Sequence, residues 1–256
     1  MRSQERVLYA IVVAILVALA ISACATPTPE RTLHVAAASS LAPLMDDLLN
    51  AYEHTSSVRV VPVIGSSGKL AQQIANGAPY DVFMSANRAY VQQLQQQGVL
   101  LPGSRVVYAS GVLVLAFPRD RSLALDDLSD ITREDIVRVA MANPEVAPYG
   151  LAAQQALQRS GLWDDVKDKL VIAETVRQAT QFLETGNVDA ALIALSTVNR
   201  NKAQVILVAP SLYDPILQEA AVIARSPNQA DARAFLDFLR SPEAQAIFTQ
   251  YGFRVP

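Results

Sequence analysis

The chain has very few of the residues that most often carry redox, metal or acid–base chemistry. Its 256 residues include one cysteine, Cys24, and two histidines, His34 and His54. A single cysteine excludes a disulfide within the chain, and two isolated histidines do not give the spacing of a metal site. His54 ends a predicted helix, where its ring complements the helix dipole. Catalysis by histidine, a thiol or a metal is therefore not indicated.

The sequence also lacks strongly basic segments. Lys and Arg number 21 against 24 Asp and Glu, which gives a formal net charge of −3. Proteins that bind nucleic acid show a clustered Lys/Arg footprint, so no nucleic-acid partner is expected. A small anion bound by this chain must be held by local groups, because the net charge does not attract it.

The N-terminal segment combines basic residues with a long apolar run. Arg2 and Arg6 precede an uncharged stretch from Val7 to about Ile21, which is closed by Ser-Ala-Cys at 22–24. This is the layout of a secretory signal peptide, here residues 1–23, and Ile-Ser-Ala-Cys resembles the lipobox of bacterial lipoproteins. An uncleaved membrane anchor is the alternative, since a transmembrane helix needs roughly 18 apolar residues.

Cleavage before Cys24 would leave 256 − 23 = 233 residues. We expect lipid on the Cys24 sulfur, a Pro/Thr-rich tether over residues 24–31, and a membrane-anchored protein on the extracytoplasmic side, in the periplasm or on the cell surface. The remaining chain suits one large domain or two small ones.

From residue 32 onward, short apolar runs alternate with amphipathic helices, which predicts an α/β architecture with mostly parallel sheets. The first helix is predicted over LAPLMDDLLNAYEH, and a late strand over VILVA. Two extended stretches, RVVYASGVLVLAF and YDPILQEAAVIARS, are predicted to be hinge strands. They would join one lobe, residues 32–110 plus 214–256, to a second lobe, residues 111–213. A ligand would then bind in the cleft between the lobes.

The turn in VIGSSGKLAQQI has three possible interpretations as a chemical site. A P-loop is excluded because Val63 stands where the first glycine belongs and Leu70 where Ser or Thr belongs. The spacing Ser66-x-x-Lys69 fits a serine–lysine hydrolase, but the Ser-Asp-Asn and Lys-Thr-Gly elements of that class do not occur. A nucleophile elbow fails because it would require glycine at Lys69. Anion capture by the helix start remains, beside the plain alternative of a serine that only caps the helix.

Three further helix starts strengthen the anion hypothesis. Ser39-Ser40 follows the first strand, Tyr149-Gly150 opens a helix in the second lobe, and Thr175-Val176 opens another. Unpaired N–H groups in the first turn of a helix, together with the positive end of its dipole, favour an oxyanion. Four such starts, two from each lobe, could surround a small tetrahedral ion without any lysine or arginine.

Five stretches occur in the order AAASSLAPLMDDL, GSSGKLAQQIANGAPYDVFMSA, NPEVAPYGLAAQQAL, ALIALS and FLRSPEAQAIFTQYGF. Together they resemble the molybdate-binding proteins of bacterial ABC importers, which belong to the two-lobed periplasmic-binding-protein superfamily of type II topology. The resemblance covers residues 32–256. It implies an α/β fold of two lobes, with mixed, mostly parallel sheets flanked by helices and two hinge-strand crossings.

The resemblance also implies the site. Ser40 and Ser67 would donate hydroxyl and backbone N–H bonds to molybdate or tungstate, and Tyr149 and Val176 would donate backbone N–H groups. Some members add a tyrosine hydroxyl, but Ala194 stands at that position here. Lys69 is expected to be solvated and uninvolved.

The resemblance further implies a binding protein and not an enzyme: a monomer without a cofactor, and without any metal besides the oxyanion, that delivers its ligand to an ABC permease with its ATPase. Alternatives are the same fold with sulfate, phosphate or a small organic anion, a serine–lysine hydrolase using Ser66 and Lys69, and a tethered scaffold without a ligand.

Overall fold

The computed structural model describes residues 31–119 and 124–255. The predicted signal peptide (1–23), the predicted lipidation site Cys24 and all of the predicted tether except Arg31 lie outside the described residues. Thr32–Pro256 forms one compact unit. Within the described ranges, no helix has both the length and the apolar character needed to cross a membrane.

The described part of the chain contains ten strands, which form two sheets. They are β1 (Thr32–Ala38), β2 (Arg59–Gly65), β3 (Val82–Ser85), β4 (Val106–Gly111), β5 (Leu113–Pro118), β6 (Val139–Ala142), β7 (Leu170–Ala173), β8 (Ala190–Ala194), β9 (Ala203–Leu207) and β10 (Ile216–Val222). The first sheet has the order β2-β1-β3-β10-β4, and the second has the order β7-β6-β8-β5-β9.

Eight α-helices in the described ranges flank these sheets. They are α1 (Met45–Thr55), α2 (Ser67–Ala75), α3 (Arg88–Gln96), α4 (Pro148–Arg159), α5 (Trp163–Val166), α6 (Val176–Glu184), α7 (Gln229–Phe238) and α8 (Pro242–Gln250). Short 3₁₀ helices connect some of them, including Ser39–Leu44 and Leu195–Thr197. Strands covered by helices agree with the predicted α/β class.

Both sheets are mixed and mostly parallel, as predicted: in each, four strands run in one direction and one strand, β10 or β5, runs against them. Strand β1 pairs in parallel with β2 and β3, and β6 with β7 and β8. The pairings of β10 with β3 and β4, and of β5 with β8 and β9, are antiparallel. The antiparallel pairs involve β5 and β10. Each of these strands follows a crossing from the other sheet, and each runs opposite to its neighbours.

The chain passes between the sheets at two places. Strand β4 lies in the first sheet and β5 in the second, with only Val112 between them. The return runs from β9 to β10, over residues 208–215. The two crossings are adjacent, because Ile216 at the start of β10 pairs with Gly111 at the end of β4. The register of β10 shifts between Gln218 and Glu219, and such a bulge bends a strand locally.

Apolar side chains from the strands and helices form the core. On one face of the first sheet, Leu70, Ile74 and Leu94 of α2 and α3 pack with Phe83 of β3. Elsewhere the core contains paired aromatic rings, such as Tyr108 and Phe248, whose centroids lie 5.0 Å apart. Burial of such side chains is the main favourable contribution to folding, and it fixes the strand ends from which the site residues project.

Two element boundaries differ from the prediction. The helix expected from Leu41 begins instead as a 3₁₀ helix over Ser39–Leu44, and α1 starts only at Met45. Pro43 lies inside the 3₁₀ turn and has no N–H to donate, which disfavours a regular α-helix there. The strand expected over VILVA lies two residues earlier, at Ala203–Leu207, where it pairs with β5.

Candidate functional site

A small cavity lies between the ends of the two sheets and has a volume of only about 10 Å³. Pockets for drug-sized ligands usually measure about 300–1,000 Å³, so this cavity suits a very small ligand. One side, here called the serine wall, comes from the first sheet and consists of Ser39, Ser40, Ser66 and Ser67 beside Ala38 and Ala86. The other side, here called the helix-start wall, comes from the second sheet and consists of Ala147, Pro148, Tyr149 and Val176.

All four residues named from the sequence line this one cavity. Ser40 lies in the 3₁₀ turn that follows β1, and Ser67 is the first residue of α2. Tyr149 is the second residue of α4, and Val176 the first of α6. Backbone N–H groups at these positions have no acceptor within their own helix. The positive ends of these turns therefore face a common space, where they favour an anion.

Several hydroxyl groups of the serine wall are available to a ligand. The side-chain oxygens of Ser40 and Ser66 are buried without a hydrogen-bond partner. Ser67 Oγ accepts the backbone N–H of Ala86 at 3.0 Å, so one of its lone pairs is used while its proton is still free. An unpartnered buried hydroxyl destabilises a protein by about 1–3 kcal/mol, and a bound acceptor would offset this loss.

Tyr149 lines the cavity, and its hydroxyl lies near the crossing strands. Its hydroxyl lies so close to Gly111 that a Cβ on that glycine would lie 2.0 Å from the phenol oxygen. The hydroxyl is buried without a hydrogen-bond partner. Burial is the main cause that raises its pKa, Tyr213 adds to the rise, and the nearby Ser40 hydroxyl opposes it. The phenol therefore stays neutral at physiological pH.

The walls carry no charged side chain among the ten described residues that line the cavity. No group of three or more His, Cys, Asp or Glu side chains capable of holding a metal occurs in the described ranges. A site of this kind offers hydroxyl and amide donors but no carboxylate acceptor.

Direct hydrogen bonds join the chain segments next to the two walls. The N–H of Gly68 in α2 donates to the carbonyl of Val146, just before α4, at 2.9 Å. In a second bond, Ser196 Oγ, in the 3₁₀ helix that follows β8, donates to the carbonyl of Ser40 at 2.8 Å. A Cβ on Gly68 would lie 2.8 Å from the Val146 oxygen and 2.9 Å from its Cα. The walls can therefore approach this closely only because residue 68 is a glycine.

Lys69 was expected to be a solvated side chain, but it forms an ion pair. Its side chain is partly exposed, but its Nζ lies 2.7 Å from Glu174 Oε1, so it forms an ion pair between α2 and the segment before α6. It is therefore not a purely solvated side chain. Lys69 Nζ pairs with Glu174, and Ser66 Oγ makes no hydrogen bond to this Nζ, which argues against the serine–lysine hydrolase.

The sequence did not reveal the long-range partners of the site residues. Ala86, Val146 and Ser196 hold Ser67, Gly68 and Ser40, yet each is distant in sequence from the residue that it contacts. Ser196 belongs to the stretch ALIALS, which could have drawn attention to it. Ala194 in the same stretch is buried and does not line the cavity.

Comparisons with known proteins show the family to which the chain belongs. Residues 33–254 match the family model of bacterial extracellular solute-binding proteins. The molybdate-binding protein ModA of Azotobacter vinelandii is 33% identical over 236 residues, which cover 90% of this chain and 92% of the relative. ModA of Rhodobacter capsulatus is 36% identical over 195 residues, which cover 76% and 77%.

A solved structure has the same fold as this chain. The A. vinelandii periplasmic molybdate-binding protein superposes with a TM-score of 0.83 at 32% identity, and the match covers 88% of this chain and 99% of that structure. The resemblance stated from the sequence motifs is thus confirmed. The chain belongs to the family of bacterial extracellular solute-binding proteins, together with the ModA proteins of A. vinelandii and R. capsulatus.

Proposed function

We propose that this protein captures molybdate, and also tungstate, in the cavity between the serine wall and the helix-start wall. Ser40 and Ser67 would bind the ion through hydroxyl and backbone N–H groups, and Tyr149 and Val176 through backbone N–H groups. The observation that carries the proposal is the convergence of four helix starts on one small cavity that is lined by uncharged donors. The ModA names of its relatives supply the ligand.

The chemistry of the walls favours a fully deprotonated oxyanion. Molybdate and tungstate are dianions at neutral pH and accept hydrogen bonds without donating any. Charge-assisted bonds from several neutral donors offset the loss of hydration when such an ion is buried. Phosphate keeps a proton at neutral pH, and neither wall has a carboxylate to accept it. Sulfate has no proton but is smaller, so the separation of the walls must discriminate against it.

We further propose that residues 32–110 plus 214–256 and residues 111–213 are two lobes that close on the ion. The sheet crossings at Val112 and over residues 208–215 support these boundaries. The bonds from Gly68 to Val146 and from Ser196 to Ser40 would form on closure. The closed monomer would then deliver its ligand to an ABC permease that is driven by an ATPase.

Calorimetry on the full chain in mild detergent tests the ligand. We expect near-stoichiometric, tight uptake of molybdate and tungstate, with sulfate and phosphate failing to compete. No heat with either molybdate or tungstate would overturn the proposal. Tight sulfate binding without molybdate binding would keep the family and change the ligand.

Anchoring is tested separately in cells. We propose that residues 1–23 are removed and that Cys24 carries lipid, which holds the protein at the outer side of a membrane. Cys24→Ser should then move the protein from the membrane fraction to the soluble extracytoplasmic fraction. Equal membrane retention of the variant would contradict the lipid anchor and leave the ligand proposal untouched.

A further inference from the structure

Ser66 immediately precedes α2 but does not make the hydrogen bond that a serine at that position usually makes. It is the residue before the first helical residue, with φ −71° and ψ 141°, which is the extended conformation of an N-cap. Its side chain nevertheless makes no capping hydrogen bond. Serine is favoured at this position because its oxygen normally accepts an N–H from the first turn, so the missing bond requires an explanation.

The chain segment next to the opposite wall supplies the explanation. The N–H of Gly68, the second residue of α2, donates to Val146 O at 2.9 Å. The Val146 carbonyl, which immediately precedes the helix-start wall in the chain, thus satisfies one of the N–H groups that a capping serine would otherwise bind. The Ser66 hydroxyl is therefore not needed to cap the N–H of Gly68.

The Ser66 hydroxyl has no hydrogen-bond partner in the described structure. Ser66 is 2% exposed, its Oγ is buried without a hydrogen bond, and the residue lines the cavity. Its neighbour Ser67 differs, since Ser67 Oγ already accepts the N–H of Ala86. A buried hydroxyl without a partner beside a cavity of uncharged donors is suited to donate to an anion there.

We propose that the Ser66 hydroxyl is a further donor to the bound oxyanion. This inference rests on the proposed function and deepens it. It also gives a replacement for the donor that is absent at Ala194, which is buried away from the cavity. The Val146 carbonyl acts as a positioning group, because it caps α2 and thereby frees Ser66.

Two substitutions at the same position distinguish a ligand donor from a helix cap. Glycine is nearly as good an N-cap as serine, whereas alanine is a poor one, and neither carries a hydroxyl. If Ser66 donates to the ion, calorimetry with molybdate on the full-length protein should show Ser66→Gly and Ser66→Ala both weakened, by about 10- to 100-fold. Circular dichroism and the melting temperature without ligand verify that each variant is folded.

Ser85→Ala is the matched control. Ser85 is also a fully buried serine near α3, but its hydroxyl donates to the Asn87 carbonyl at 2.9 Å and it does not line the cavity. We expect this variant to bind molybdate within about threefold of the wild type.

The possible outcomes distinguish a failure of this inference from a failure of the proposed function. If the wild type binds molybdate and both Ser66 variants bind as tightly, this inference is wrong and the proposed function stands. If only Ser66→Ala is weaker, and it also melts lower, Ser66 is a cap and not a donor. If the wild type itself gives no heat with molybdate, the proposed function fails and this inference fails with it.

Discussion

The two walls of the cavity present the same kind of chemistry by different means. The serine wall offers side-chain hydroxyls, two of which, on Ser40 and Ser66, have no partner. The helix-start wall consists of alanine, proline, tyrosine and valine, and its proposed donors are the backbone N–H groups at the starts of α4 and α6. Side-chain substitution can therefore remove hydroxyl donors from the serine wall, whereas the proposed donors of the helix-start wall are lost only when a substitution changes its backbone.

The largest effect is expected where the walls meet. Gly68→Ala places a methyl group within 2.8 Å of the Val146 carbonyl oxygen, a backbone atom that cannot move aside easily. The helix-start wall would then be kept away from the ion. Losing two bonds to a charged ligand, each worth about 1.5–3 kcal/mol, weakens molybdate binding at least roughly 100-fold in calorimetry.

Gly65→Ala is the control for the glycine effect. A Cβ there meets only the side chain of Leu70, at 3.2 Å, and a flexible side chain can shift by a few tenths of an ångström. This variant should bind molybdate nearly as the wild type does. If Gly68→Ala also binds normally, the walls do not need to close as tightly as the structure has them.

The serine wall is tested by Ser67→Ala. The loss of a hydroxyl donor to a dianion should weaken molybdate affinity about 10- to 100-fold, measured by calorimetry. Because Ala86 N–H also loses its acceptor, the melting temperature should fall as well. Ser104→Ala separates these effects, since Ser104 Oγ likewise accepts a buried N–H, that of Val222 at 3.1 Å, but lies outside the cavity. An affinity loss in Ser104→Ala equal to that in Ser67→Ala would show that stability alone explains the result.

The helix-start wall calls for a different pair of variants. Proline is well tolerated at the first position of a helix, and it lacks only the N–H. Thr175 before it has φ −134° and ψ 159°, the extended conformation that a following proline requires. Val176→Pro should therefore keep α6 and weaken molybdate binding about tenfold or more.

Val176→Ala keeps the N–H and should change the affinity by less than about threefold, apart from a loss of stability through the smaller side chain. Calorimetry and the melting temperature of both variants distinguish loss of the backbone N–H from loss of the side chain. If alanine weakens binding as much as proline does, the valine side chain and not its backbone is important.

Much of the fold could be predicted because local patterns determine it. Leu70, Ala71 and Ile74 follow helical spacing and are the buried face of α2, and the apolar run Val82–Ser85 is fully buried as β3. The direction of β10 and β5 in their sheets could not be predicted in this way. It depends on where the chain crosses between sheets, which the periodicity of a single segment does not contain.

The candidate site, too, could be predicted from the sequence only in part. Ser-Ser before a helix start is visible in the sequence, and so is the glycine at position 68. That Val146 would cap α2 and leave Ser66 without a partner depends on a contact across 78 positions between Gly68 and Val146. A contact of this kind follows from the assembled sheets and not from any local motif.

A smaller effect is expected from the ion pair that links α2 to the segment before α6. Lys69 and Glu174 are 46% and 58% exposed in their side chains, and exposed pairs contribute about 0–1 kcal/mol. Lys69→Ala and Glu174→Gln should therefore each weaken molybdate binding less than about fivefold. If Lys69 instead contacts the ion, only Lys69→Ala will lower the affinity strongly, and calorimetry on the two variants side by side distinguishes these cases.

The smallest effect is expected from pH, because neither wall depends on a group that titrates near neutrality. Tyr149 is the one titratable side chain among the described lining residues, and burial raises its pKa from the ordinary value of 10.0. It is therefore a neutral phenol from about pH 6 to pH 9, and molybdate stays a dianion over this range. Calorimetric affinity at three pH values across that window should agree within about threefold. A steep fall toward pH 9 would mean that a group of ordinary pKa contacts the ion, which contradicts a site built only from hydroxyl and backbone donors.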